Sequence, residues 1–322
     1  MIVIPIVVVG LGALWFAYFR FVFRDEVTRA LRKLPKFSHV HDVVVTPLGG
    51  GLTNRNYRVE IDGETYVLRI AGADSGKLLI DRAAELIAVR AAAQAEVAPE
   101  VVDHSACHSV SLTRFVKGKP ITTAEAFHPE VLPRITRTMR AYHDHDVPEG
   151  LGVFSPFEVV RTYYRKIEEL GVKRPAELDA AMRIMNSIEE TVKNDDPRCL
   201  CHNDLLLGNF IDAGHKLHII DWEYAGRGDR FFDLGNFAAS LELTDDQEQA
   251  LLQAYFGEAR TDDVRRLKLM RLASDMREST WGFLQSAISK VESPPYYLEY
   301  GQRFLDRFLA GAARLGIVEK VS

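Results

Sequence analysis

One short β island divides two long stretches of helical periodicity, and it limits the possible folds more than any other feature of the chain. Asn209 to Asp212 and Leu217 to Asp221 flank Ala213-Gly214-His215-Lys216, a hairpin pattern. Just before it stands Cys201-His202-Asn203-Asp204-Leu205-Leu206-Leu207-Gly208-Asn209, and Asp221 closes it ahead of Trp222-Glu223. A hairpin returns the chain to its starting point, so Asp204, Asn209 and Asp221 are expected at one place. Phosphoryl transfer needs such a set. One carboxylate orients the attacking hydroxyl and takes its proton, while a carboxylate and an amide oxygen hold Mg²⁺ against the phosphates. Asp204 fits the base, Asn209 and Asp221 fit the metal ligands, and His202 would brace the loop by hydrogen bonds. The competing reading is a polar loop whose Asp and Asn only cap turns. The partner Asp221 and the hairpin that delivers it weigh against that.

The chain ahead of the island is β-rich. Asp42 to Leu48, Asn56 to Ile61, Thr65 to Ile70 and Val110 to Val116 read as strands, with Asp62-Gly63 a strong hairpin signal. Asp81 to Ala95 reads as a helix. Helical periodicity then covers Pro129 to His143, Phe157 to Leu170, Pro175 to Lys193, Asp245 to Phe256, Asp262 to Ser289 and Tyr297 to Leu315. A β-rich front and a helical back, joined near Gly118, predict an α+β chain of two lobes with a cleft between them.

Gly49-Gly50-Gly51-Leu52-Thr53-Asn54, between two strands, lets backbone N–H groups approach a phosphate and adds side-chain donors from Thr53 and Asn54. An ordinary glycine loop has the same composition. It is not a Walker loop, because no Gly-Lys-Ser/Thr follows. Arg69, two strands on, can reach the α- and β-phosphates, and Glu85 on the next helix can pair with it, much as protein kinases pair a strand Lys with a helix Glu. A surface ion pair is the alternative.

The first residues are of a different kind. Ile2 to Phe19 contains no charged side chain, and Arg20, Arg24, Arg29, Arg32, Lys33 and Lys36 follow. As a helix the run would extend about 27 Å, near the ~30 Å of a bilayer core. The basic flank would place the rest of the chain on the cytoplasmic side, at the inner face of the plasma membrane. A misassigned start, with the protein beginning near Arg24, and an apolar helix packed on the body are the other readings. The net charge of -5 over 322 residues argues against a nucleic-acid binder. Three cysteines, Cys107, Cys199 and Cys201, give no disulfide framework and no zinc pattern. Cys199 and Cys201 read as buried strand residues. His143-Asp144-His145 closes a helix and reads as end packing and capping.

Taken in order, Gly-Gly-Gly-Leu-Thr-Asn, the strand Arg69, Asp81-Arg82 with Glu85, the His202 to Asn209 loop, Ile220-Asp221-Trp222-Glu223-Tyr224-Ala225-Gly226, Phe232-Asp233-Leu234-Gly235-Asn236 and Trp281-Gly282 resemble the choline/ethanolamine kinase family. The catalytic loop and metal Asp are shared with aminoglycoside phosphotransferases. The resemblance runs from about Asp25 to Leu315. It implies a bilobal protein-kinase-like fold: residues 1–22 an apolar segment, 23–117 a small β-sheet N-lobe that binds ATP, and 118–322 a mainly helical C-lobe. It also implies Mg²⁺-ATP as donor and a small-molecule alcohol as acceptor, first of all choline or ethanolamine, then thiamine or an aminoglycoside. Gly50, Gly51, Leu52, Thr53, Asn54, Arg69 and Glu85 would then serve the phosphates, Thr113 and Phe115 the adenine linker, and Asp233 would support the catalytic loop. At the acceptor the resemblance places Glu223, Tyr224, Trp281 and Tyr297, with cation–π attraction holding an ammonium.

Two departures bear on the acceptor. Leu284 stands where many choline kinases have a second tryptophan, and Ser240 where they have an acid. A protein kinase is disfavoured because the Asp-Phe-Gly and Ala-Pro-Glu landmarks are missing. A nucleotide-binding pseudokinase scaffold, the alternative of another class, would usually lack a base or metal ligand, and none of the three is missing here.

Overall fold

The structure is a computed structural model and describes residues 23–49, 54–72, 75–105, 107, 109–192 and 198–317. The chain divides into two compact units, residues 1–75 with 99–116 and residues 76–98 with 117–322.

The first unit is an antiparallel five-stranded sheet in the order β1-β2-β3-β5-β4. Its strands are β1 (Val44–Leu48), β2 (Asn54–Ile61), β3 (Glu64–Ala71), β4 (Val101–Ser105) and β5 (Val110–Arg114). Alternation along β2 turns Tyr57, Val59 and Ile61 inward, against Tyr66 and Leu68 of β3 and Leu112 of β5. Helical residues 23–31 (α1) cover this face with Val27, Ala30 and Leu31. The turn between β2 and β3 places Asp62 at φ 50° and Gly63 at φ 83°, the paired left-handed residues that a tight hairpin demands. Arg69 sits in the middle of β3, between Asn56 and Ser111. Sequence patterning did not single out β4. It is an edge strand with Asp103 and His104 in its centre and a register break between Val101 and Asp103, so it shows no clean alternation.

The second unit holds α2 (Arg82–Gln94), α3 (Thr123–Ala126), α4 (Leu132–His143), α5 (Pro156–Glu169), α6 (Glu177–Val192), α7 (Arg230–Ser240), α8 (Asp245–Phe256), α9 (Thr261–Ile288) and α10 (Pro294–Arg314). Asp81 caps α2 by accepting the Ala83 and Ala84 amides. Two small sheets lie among these helices. β7 (Cys199–Cys201) pairs with β10 (Gly226–Gly228), and β6 (Lys119–Pro120) joins the hairpin of β8 (Phe210–Asp212) and β9 (Leu217–Ile219). The long helix α9 packs against α5, α7 and α10 and forms the spine of the unit. The helix α7 had no helical signature in sequence. Every residue from Phe231 to Ala239 is buried, so no polar face exists to reveal a period.

No helix among the described residues is long and apolar enough to cross a membrane. Residues 2–19, where the sequence suggests an anchor, lie outside the described residues.

Candidate functional site

The loop between β7 and β8 is held through its main chain. Asp233, wholly buried on α7, accepts the His202 amide at Oδ2 (2.8 Å) and the Asn203 amide at Oδ1 (2.6 Å). Tyr142 donates its hydroxyl to the same carboxylate (2.7 Å), and His143 Nε2 lies 3.0 Å away. Burial works against a charged Asp233, but these partners win and hold its carboxyl below the usual range. One helical turn on, Asn236 Oδ1 accepts the Leu205 amide and its nitrogen donates to Ser274 of α9. The backbone bends where it must: Asn203 adopts φ 66°, a left-handed conformation that Asn tolerates better than most residues.

His202 is buried and its two ring nitrogens are both occupied. The Asp204 amide donates to Nδ1 (3.2 Å), and Nε2 lies 3.0 Å from the Ile220 carbonyl. An amide can only donate and a carbonyl can only accept, so the ring is the neutral Nε2–H tautomer. Burial lowers its pKa, which agrees with that state. His202 thus fixes the loop to the strand that delivers Asp221, and Trp222 packs against it at 4.7 Å.

Asp204 presents a carboxylate that is 18% exposed. Burial raises its pKa, opposed by Arg277, whose Nη2 donates to Oδ1 at 2.7 Å. Asn209 turns its amide nitrogen onto the Asp204 carbonyl (3.0 Å), and the Ile220 amide bonds to the Asn209 carbonyl (3.0 Å). Asp221 follows at φ 67°. The hairpin therefore brings Asp204, Asn209 and Asp221 into one neighbourhood. With the Asn209 nitrogen engaged, its oxygen is the atom left for a ligand. An amide oxygen beside a carboxylate suits a hard cation such as Mg²⁺.

The remaining residues singled out in the sequence are spread over both units. Gly50 to Thr53 lie outside the described residues. Asn54 opens β2 and is buried, Arg69 is on β3, Thr113 is on β5 opposite Val67, and Phe115 follows that strand with Arg58 over its ring at 5.3 Å. Glu85 and Glu223 are both buried in the second unit, where Arg82 Nη1 bonds to each, at 2.7 and 3.1 Å. Glu223 is thus built into an ion-pair cluster. The Tyr224 ring lies under the Arg277 guanidinium at 5.3 Å, and its hydroxyl is buried without a partner.

On α9, Trp281 is partly exposed and meets Tyr297 and Tyr300 of α10 at 5.8 and 5.6 Å. Tyr297 itself is fully buried and its hydroxyl takes a bond from Ser289, so it packs the two helices and offers no surface to an acceptor. Tyr300, which the sequence reading passed over, is the partly exposed ring there. Arg277 and Glu278 were passed over too. The signal was partial: Asp275, Arg277 and Glu278 put three charges into the stretch that leads to Trp281, and nothing local marks which of them meets the Asp204 loop. Gly282 lets α9 and α10 meet, because a Cβ there would stand 2.7 Å from the Gly301 nitrogen.

Among the described residues, His143, Cys199 and Cys201 cluster within 4.8 Å. Both His143 nitrogens are occupied, by Tyr255 and Asp233, and burial pushes the Cys201 thiol up, so this trio is core rather than a metal centre.

A loop that presents Asp204 and is fixed by a buried Asp, beside a hairpin that carries a second Asp, can serve phosphoryl transfer. The chain belongs to the phosphotransferase enzyme family, whose model matches residues 44–269. It is similar to the LicA protein of Haemophilus influenzae, 27% identical over 280 residues that cover 84% of this chain and 78% of that one. A probable ethanolamine kinase of Arabidopsis thaliana is 23% identical over 284 residues, covering 77% and 74%. Among solved structures, a choline/ethanolamine kinase family protein from Mesorhizobium loti superposes with a TM-score of 0.73 at 28% identity, covering 89% of this chain and 94% of that one. The protein is a phosphotransferase with the protein-kinase-like fold expected from its sequence.

Proposed function

We propose that the protein transfers the γ-phosphoryl group of ATP to the hydroxyl of choline or a related amino alcohol such as ethanolamine. The observation that carries this is the Asp204 carboxylate, partly exposed on a loop whose amides are locked by Asp233 and Asn236. The acceptor O–H gives its proton to Asp204 as its oxygen bonds to the γ-phosphorus, and the bond from that phosphorus to the β–γ bridging oxygen breaks to release ADP. Burial raises the basicity of Asp204, which favours proton acceptance. Asn209 and Asp221 would hold Mg²⁺, which when bound neutralises phosphate charge. Asn54 and Arg69 of the first unit are assigned to the triphosphate, and Thr113 and Phe115 to the adenine side. The kinship with choline and ethanolamine kinases supports the acceptor class, and the partly exposed Trp281 and Tyr300 rings supply the aromatic surface for an ammonium.

The test is ADP release by the full-length enzyme with Mg²⁺-ATP and choline, ethanolamine, thiamine or an aminoglycoside, with Asp204→Ala as blank. Turnover of choline or ethanolamine well above the blank is expected. Turnover confined to thiamine or the aminoglycoside would overturn the acceptor assignment and leave the phosphotransferase chemistry standing.

A further inference from the structure

We infer that Glu278 anchors the acceptor's nitrogen and selects an ammonium that still carries N–H bonds over a quaternary one. The inference rests on the amino-alcohol reading above and specifies which group reads the amine. Arg277 Nη2 donates to Asp204 Oδ1 at 2.7 Å and to Glu278 Oε1 at 2.5 Å. The catalytic carboxylate and Glu278 therefore flank a single nitrogen atom. The Tyr300 hydroxyl donates to the other Glu278 oxygen at 2.7 Å. Burial and the Glu278 charge hold that phenol protonated, so it acts as a donor.

Charge balance makes the first argument. Asp204 and Glu278 share one guanidinium, which stays protonated, and their side chains are only 18%, 16% and 6% exposed in the order Asp204, Glu278, Arg277. A poorly solvated cluster with one surplus negative charge is costly, and a bound cation removes the cost. Their shared partner is the second ground: both carboxylates accept from Arg277 Nη2, so an alcohol with its hydroxyl on Asp204 has its ammonium on the side of Glu278.

Selectivity follows from what surrounds Glu278. Leu284 is fully buried at the position where a second tryptophan would stand, and Tyr297 is fully buried as well. The Ser240 hydroxyl is turned back onto the Phe237 carbonyl at 2.9 Å. The aromatic surface near Glu278 thus comes from Trp281 and Tyr300, with the Tyr224 ring under Arg277 beside them. A trimethylammonium needs an extensive ring cage, whereas an N–H-bearing ammonium gains a charge-assisted hydrogen bond to a carboxylate, roughly twice as strong as a neutral one.

The experiment measures kcat and KM of the full-length enzyme for ethanolamine, N,N-dimethylethanolamine and choline, which carry three, one and no N–H bonds on the charged nitrogen. The unmodified enzyme is expected to lose tenfold or more in kcat/KM at the last methylation. Glu278→Gln is expected to raise KM for the first two acceptors tenfold or more, with kcat within a few-fold and the KM for ATP unchanged, and so to flatten the series. A flat series in the unmodified enzyme, or equal KM losses for choline and ethanolamine in Glu278→Gln, would overturn the inference while leaving amino-alcohol turnover intact. No turnover of any of the three would overturn the amino-alcohol reading itself. The series on the unmodified enzyme needs no variant, so a poorly folding Glu278→Gln leaves the test standing.

Discussion

The loop that carries Asp204 and the α9–α10 contact that carries Glu278 lie in the same unit but are built differently. The loop is held by bonds to its main chain: Asp233 and Asn236 accept the amides of His202, Asn203 and Leu205 and are themselves almost wholly buried. The α9–α10 end is held mostly by side chains, with Arg277, Glu278, Trp281 and Tyr300 meeting one another across two helices that touch backbone to backbone at Gly282 and Gly301. A loop fixed through its amides cannot change shape one residue at a time, whereas a cluster of side chains can be replaced while the backbone stays. On the proposed assignment, the chemistry would be rigid and the specificity adjustable.

Asp233→Ala should have the largest effect. It strands the amides of His202 and Asn203 and the Tyr142 hydroxyl, at about 1–3 kcal/mol for each stranded donor. Thermal unfolding should show a large drop in Tm and turnover should vanish with it; an unchanged Tm would mean the loop does not depend on this carboxylate. Asp204→Ala separates chemistry from scaffold. Turnover should fall by about 10²–10⁴ if proton acceptance is lost, with Tm and ATP affinity retained, and a loss of ATP affinity would count against its role as base. Gly282→Ala probes the other region. A Cβ 2.7 Å from the Gly301 nitrogen forces α9 and α10 apart, costing about 1–3 kcal/mol and raising the acceptor KM more than the ATP KM.

Acidification sharpens the contrast further. His202 is neutral in the fold with its pKa lowered by burial, while the unfolded chain titrates near 6.5. Below about pH 6.5 the unfolded state binds the extra proton first, so stability falls as pH drops through that value towards the folded pKa, by at most about 1.4 kcal/mol per pH unit. His202→Gln should lessen the fall in Tm between pH 7 and 5, with His218, also lowered by burial, still contributing in the same sense and Asp275, raised to about 7, in the opposite one. An unchanged slope would place its origin elsewhere. The smallest effect is expected for Trp281→Ala, a few-fold rise in acceptor KM at constant kcat, in line with the ~0.5–1 kcal/mol of a partly exposed cation–π contact.

What could be read in sequence was what is local. Asp62-Gly63 states its own turn, helical spacing marks α2, and the spacing of Asp204, Asn209 and Asp221 encodes their convergence because a single hairpin joins them. Where burial is uniform the pattern disappears, which is why α7 gave no period. Side-chain pairings across long separations left no local trace: Arg277 reaches Asp204 from a distant helix, and Tyr300 reaches Glu278 across the α9–α10 contact. Tyr297 and Tyr300 are both aromatic on the same helix, and only packing decides which is buried and which is presented.

The amides of His202, Asn203 and Leu205 belong to no helix or strand ladder, yet each points into a buried carboxylate or amide. In deuterated water such protons should exchange as slowly as those of the unit's core helices, since they open only when α7 lets go. A loop that looks irregular in outline would then register, by isotope exchange, among the last parts of the protein to loosen.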